Sequence, residues 1–171
     1  MGLKWADAQV EPKRQFRWTL QFPTIDNQVP TWIVKTANKP KFSISESSHK
    51  YLNHTFYFPG RVEWEEISVT LVDPVTPDAS AGLMAVLNLM GYAMPYDQSE
   101  SAVMQTISKA AASTVLGQVT LTQFGQDGAE KDKWFLRNAW IKSIDFGGLD
   151  YESDDLVNID MTLRYDWAEL A

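Results

Sequence analysis

The chain closes on an unbroken alternation. Val157, Ile159, Met161, Leu163, Tyr165 and Trp167 alternate with Asn158, Asp160, Thr162, Arg164 and Asp166. Successive side chains of a strand point to opposite faces, so the pattern predicts one strand with an apolar face and a polar, charged face. Its eleven residues exceed a usual strand of about five or six. A long two-faced strand with no recognisable chemistry on its wet side implies a protein that builds a surface.

The same period recurs upstream. Phe16, Trp18, Leu20 and Phe22 predict a first strand stopped by Pro23. Asp26-Asn27 is a turn signal, so Thr31–Lys35 is expected to return as the second arm of a hairpin. Phe42 and Ile44 suggest a short third strand, and residues 46–60 read as an extended excursion or long hairpin, polar and then aromatic. Trp64–Val72 is a further strand with Ile67, Val69 and Leu71 on one face. Over residues 79–92, Leu83, Met84, Val86, Leu87 and Met90 take helical spacing, with Asp78 as N-cap and Gly91 as stop. Ser101–Ala112 predicts a second short helix, with Tyr92–Glu100 as the loop before it. Strands resume at Gln118–Phe124, Lys133–Asn138 and Ala139–Asp145. The fold class expected is mainly β (α+β): an antiparallel sandwich or barrel with a flanking helix. Residues 1–13 read as an N-terminal arm and residues 14–171 as a single domain.

Composition narrows the function. A length of 171 residues suffices for a sizeable core, and 44% hydrophobic content is that of a globular chain. The net charge of −7 argues against sequence-specific duplex binding. The charge is uneven: residues 1–50 carry eight Lys/Arg and four Asp/Glu, whereas residues 143–171 carry one and eight. Two solvated faces would account for this; so would docking of a basic end on the acidic end of a neighbour. With Cys 0, disulfides and thiolate metal sites are excluded. No apolar h-region marks a signal peptide, the start lacks Ser/Thr at position six for myristoylation, and no apolar stretch is long enough to span a membrane.

Catalytic chemistry is not signalled. The two histidines, His49 and His54, are five apart, which on one strand puts them on opposite faces, so no zinc site is expected. Asp150, Glu152, Asp154 and Asp155 lack the central Gly of an EF-hand loop and read as a solvated turn. There is no G-x-S-x-G elbow, P-loop or G-x-G-x-x-G. No enzyme activity, metal or cofactor is expected. Trp64, Trp134 and Trp140 keep a glycan- or peptide-binding module as a second reading, although strand tryptophans more often serve core or interface.

Three stretches carry a family resemblance. They are Tyr51-Leu52-Asn53-His54-Thr55-Phe56-Tyr57-Phe58-Pro59-Gly60-Arg61-Val62-Glu63-Trp64 running into Val69–Pro74, then Asn138–Gly147, then Leu149-Asp150-Tyr151 with the closing Leu163–Trp167. In this order the chain, from about residue 14 to 168, resembles the tail tube proteins of contractile-tailed bacteriophages, of the T4 type. The resemblance implies a structural virion protein, assembled in the host bacterial cytoplasm. Its homo-hexameric rings would stack into a hollow conduit for DNA delivery. The same fold serves baseplate-proximal tube initiators and related injection devices, so these stay open. Implied partners are copies of itself, the tail sheath, baseplate and tail terminator proteins, and viral DNA in transit; no membrane is implied. Residues 46–60 match the family's ring-contacting loop, which makes His49, Tyr51, Asn53, His54 and Tyr57 the expected stacking contacts. Asn158, Asp160, Thr162, Arg164 and Asp166 are expected to face the lumen or a neighbouring subunit.

Overall fold

The computed structural model describes residues 10–96 and 104–171. Two four-stranded antiparallel sheets share one core. The first orders β1 (Trp18–Gln21), β6 (Val119–Phe124), β7 (Glu130–Arg137) and β10 (Trp167–Leu170). The second orders β2 (Val34–Ala37), β5 (Ile67–Val72), β9 (Asn158–Arg164) and β8 (Trp140–Asp145). β3 (Phe42–Tyr51) and β4 (His54–Trp64) form a separate two-stranded ribbon. The mainly β, antiparallel class read from the alternation is therefore the observed one. Neither four-stranded sheet closes, so among the described residues there is no barrel within one copy.

The core follows the apolar parity of the strands. Ile67, Val69 and Leu71 of β5 meet Leu163, Met161 and Ile159 of β9 in register, and all six are buried. Leu20, Leu121 and Leu136 close it from the other sheet. α1 (Ala79–Leu89) starts where Asp78 accepts a bond from the Ala81 N–H (2.9 Å) and buries Ala79, Leu83 and Val86. Gly91, at φ +108°, ends it in a conformation that other residues rarely adopt.

Several expectations change. β1 does not pair with the segment after it. Phe22, Ile25, Val29 and Ile33 are buried, so that segment crosses the core and delivers β2 to the other sheet. The Asp26-Asn27 turn exists, but it is a helical turn, with Val29 N–H donating to the Ile25 carbonyl (2.8 Å), rather than a hairpin loop. The third strand is ten residues long, not a short one. The second helix is α2 (Lys109–Leu116), capped by Ser108, whose hydroxyl accepts from the Ala111 N–H (3.1 Å); Met104–Ile107 are not helical, and residues 101–103 of the expected helix lie outside the described residues.

The largest correction concerns the closing run. It is two strands in two sheets. β9 ends at Arg164, Tyr165 and Asp166 turn the corner, and β10 pairs with β7. The apolar parity holds through Tyr165, which is buried, but Trp167 stands out at 43% exposure and Ala168 points inward in its place.

Leu163 sits fully buried in a central strand. Leu163→Ala is expected to destabilise the fold by about 2–5 kcal/mol, and Arg164→Ala beside it by under about 0.5 kcal/mol. Urea unfolding followed by tryptophan fluorescence measures both; equal losses would contradict the assigned faces.

Candidate assembly surface

The ribbon of β3 and β4 is the main exposed feature. Among the described residues no other strand or helix packs along its length, and both outer edges are unpaired. Every residue of it except Trp64 is exposed. A two-stranded hairpin alone in water is at best marginally stable, and a free edge invites pairing with another chain.

Its root is well fastened. Phe42 meets Trp64 edge to face at 5.4 Å between ring centroids, and Trp64 leans on the buried Tyr165 at 6.1 Å. Lys41 and Glu65 close the base with an ion pair (2.8 Å) and a backbone bond (2.8 Å). A bulge follows, where Ser45 alone faces Gly60 and Arg61. The Ser45 hydroxyl accepts from the Arg61 N–H (2.8 Å), and any β-carbon on Gly60 would run into that hydroxyl. At the tip, Leu52 takes φ +53° at 85% exposure, a strained position for a branched apolar side chain in water.

The register sorts the expected contact residues. Tyr51 pairs with His54 and His49 with Phe56, so these four share one face with Ser47 and Phe58. The two histidines therefore lie on the same face. The opposite-face expectation assumed one continuous strand, and the turn at Leu52-Asn53 reverses the chain between them. Tyr57 sits on the other face opposite Ser48, and Asn53 is in the turn. Phe56 and Phe58, 51% and 54% exposed, were not among the residues expected to make contacts, though the run Phe56-Tyr57-Phe58 marked them. Among the described residues no group of three metal-ligating side chains forms.

The second expected set divides. Asn158, Asp160, Thr162 and Arg164 share the face of β9 opposite its buried residues. Asp160 accepts from the Thr70 hydroxyl (2.6 Å), and Asn158 from Lys35 (3.4 Å). Asp166 leaves the set and becomes the corner post. Its carboxylate accepts from Lys109 (2.6 and 2.8 Å) and from the Asn138 amide (2.8 Å). The Lys109 bond, then the Asn138 bond, hold the carboxyl below its ordinary value, while burial pushes Tyr165 above its own. Trp64, Trp134 and Trp140 are partly buried against the core, Trp64 and Trp140 at one open cleft and Trp134 at another.

A second surface lies between the edge strands β1 and β2. It is a cleft of about 750 Å³ walled by Phe16, Trp18 and Trp134, with Lys13, Lys35 and Lys39 at its border. Asp132 behind it binds Lys13 (2.6 Å), which lowers its carboxyl below the ordinary range. Lys39 bonds Gln123 (2.5 Å), whose amide in turn donates to the Arg14 carbonyl (3.1 Å).

A carboxyl held low in the fold adds stability above its unfolded value near 3.8, and that stability is lost as pH falls through the lower folded value. Stability is thus expected to hold from neutral pH to about pH 5 and to drop below about pH 4. Asp166→Asn is expected to lower the urea midpoint at neutral pH, with the gap to the parent narrowing below about pH 3. Titrating both proteins in urea checks it; a gap independent of pH contradicts the corner ion pair.

Neither a protein-family model nor a curated protein matches the chain by sequence. Solved structures do match by fold. A chain of the anti-feeding prophage tube-terminating cap superposes with TM-score 0.65 at 15% identity, covering 100% of this chain and 99% of that one. A chain of the anti-feeding prophage baseplate gives 0.63 at 13%, covering 95% and 97%. A chain of the PVC sheath–tube complex, an extracellular contractile injection system, gives 0.56 at 15%, covering 100% and 98%. The chain therefore shares the fold of these cap, baseplate and sheath–tube chains.

Proposed function

We propose that this protein is a structural subunit of the inner tube of a contractile tail, polymerising as hexameric rings that stack into a hollow conduit. The observation that carries this is the free-standing ribbon, rooted by Trp64 and Tyr165 yet exposed on both faces. Its aromatic face is costly in water and ready-made for a partner. The rest of the surface agrees. Among the described residues both four-stranded sheets end in open edges, which pairing between copies would remove.

In this assembly His49, Tyr51, His54, Phe56 and Phe58 meet the adjacent ring, with Asn53 at the tip and Tyr57 on the reverse face. Asn158, Asp160, Thr162 and Arg164 line the bore or its seam, while Asp166 braces the corner. Asp160 and Arg164 cancel, so these bore residues are polar with no net charge and offer DNA phosphates no basic patch to bind. Sheath, baseplate and terminator proteins would meet the outer wall and ends. The fold-alike chains come from a cap, a baseplate and a sheath–tube complex, which supports a tube fold used at several stations. A baseplate-proximal initiator, or the tube of an injection machine, is the second reading; nucleic acid in purified particles separates a phage tail from the latter. No catalytic step is assigned.

Negative-stain microscopy of the concentrated protein is expected to show six-fold rings or tubes. Phe56→Ser with Phe58→Ser is expected to raise the concentration needed for assembly at least about tenfold while leaving the urea midpoint within about 0.5 kcal/mol of the parent. Gly60→Val, which collides with Ser45 at the bulge, is expected to act in the same direction. A protein that stays monomeric at every concentration would sink the proposal.

A further inference from the structure

The connection from β8 to β9 carries features that the tube reading leaves unused. Residues 147–156 read Gly-Gly-Leu-Asp-Tyr-Glu-Ser-Asp-Asp-Leu, with four carboxylates and no Lys or Arg. Leu149 is 90% exposed, Tyr151 fully and Leu156 69%. The loop's own bonds are local: Asp150 accepts from the Glu152 N–H (3.0 Å), and the Ser153 hydroxyl donates to Asp155 (3.1 Å). Among the described residues none of its four carboxylates pairs with a cation. It is an acidic loop with an exposed tyrosine that meets no cation among the described residues.

The cleft between β1 and β2 has the complementary chemistry. Lys13, Lys35 and Lys39 border it, Phe16 and Trp18 wall it, and no Asp or Glu lines it. Phe16 is 75% exposed. Asp132 behind the wall offsets one of the three positive charges, and Lys35 has only the neutral Asn158 amide at 3.4 Å. β2 and β8 are the opposite edges of one sheet, so the protrusion leaves from the edge away from the cleft and returns to β9 at Asn158, within reach of Lys35. Surfaces that differ and complement each other join head to tail, and such contacts form a ring when the rotation closes.

We infer that the acidic loop 147–156 of one copy docks into the Lys13–Lys35–Lys39 cleft of the next copy, with Tyr151 and Leu149 against Phe16 and Trp18. The inference rests on the self-assembly proposed above and names the contact that gives it direction. Apolar contact supplies affinity, and the charge pairing excludes the reversed, like-on-like encounter.

The test is a charge swap on the full chain. Lys35→Glu alone, and Glu152→Lys with Asp154→Lys alone, are each expected to raise the assembly concentration at least about tenfold, and more as salt is lowered. Mixing the two variants restores assembly, because the acidic loop of one meets the basic cleft of the other and the reversed pair matches in turn. Far-UV circular dichroism confirms that each variant is folded. The chain has no cysteine. Lys35→Cys with Asp154→Cys is therefore expected to give a ladder of covalent multimers on a non-reducing denaturing gel, and Asp154→Cys alone no ladder. Cross-linking confined to monomers, loss of assembly from the cleft change but not from the loop change, or a mixture that fails to recover overturns the inference. If the parent forms rings and the swaps do nothing, this contact alone is wrong; if the parent never assembles, the tube proposal has failed first.

Discussion

The structure turns on the corner at Tyr165 and Asp166. Here the chain leaves one sheet and enters the other, and a second crossing lies against it at Asn138, which takes φ +53° between β7 and β8. Asp166 ties both crossings to α2, through the Asn138 amide, the Lys109 ammonium and its own N–H to the Arg137 carbonyl (3.0 Å). Tyr165 fills the angle from inside and supports Trp64, the root of the ribbon. One short segment thus sets how the sheets face each other and where the exposed hairpin leaves the body. Its charges are partly exposed, so each bond alone contributes modestly. Their joint effect is geometric, because two sheet-crossing strands cannot slip past each other without breaking all of them.

How much of this was legible depends on the range of the signal. The apolar parity of β5 and β9 was plain, since Ile67, Val69, Leu71 and Ile159, Met161, Leu163 alternate strictly and all go inside. The corner was hidden by the same alternation. Tyr165 continues the parity although its strand has ended, and only Ala168, small and buried behind an exposed Trp167, betrays the reset. A period of two records which side faces apolar matter and is silent on which sheet supplies it. Likewise Asp26-Asn27 marked a turn truthfully, but the buried Phe22, Ile25 and Val29 decide that the chain crosses the core there. Pairing partners a hundred residues away, such as Gln123 for Trp18, leave no local trace. The ribbon was readable as an exposed excursion because its polar and then aromatic run is local, but its turn was not: Pro59-Gly60, a turn dipeptide by sequence, lies inside β4, and the chain reverses at Leu52-Asn53.

The two unpartnered surfaces differ in kind. The ribbon offers aromatic area with little net charge, while the loop and the cleft offer charge around a small aromatic centre. Apolar area binds without regard to direction, so a ribbon alone would pair with any accessible edge. Opposite charges on separate surfaces reject the wrong orientation at the encounter. A chain with net charge −7 has a further need for this, because every copy added to a ring brings more of the same sign. Concentrating the positive charge beside one edge and the negative charge beyond the other lets neighbours attract at contact while whole particles repel. Such a division would give each contact around a ring a single direction and leave the stacking of rings to the ribbon.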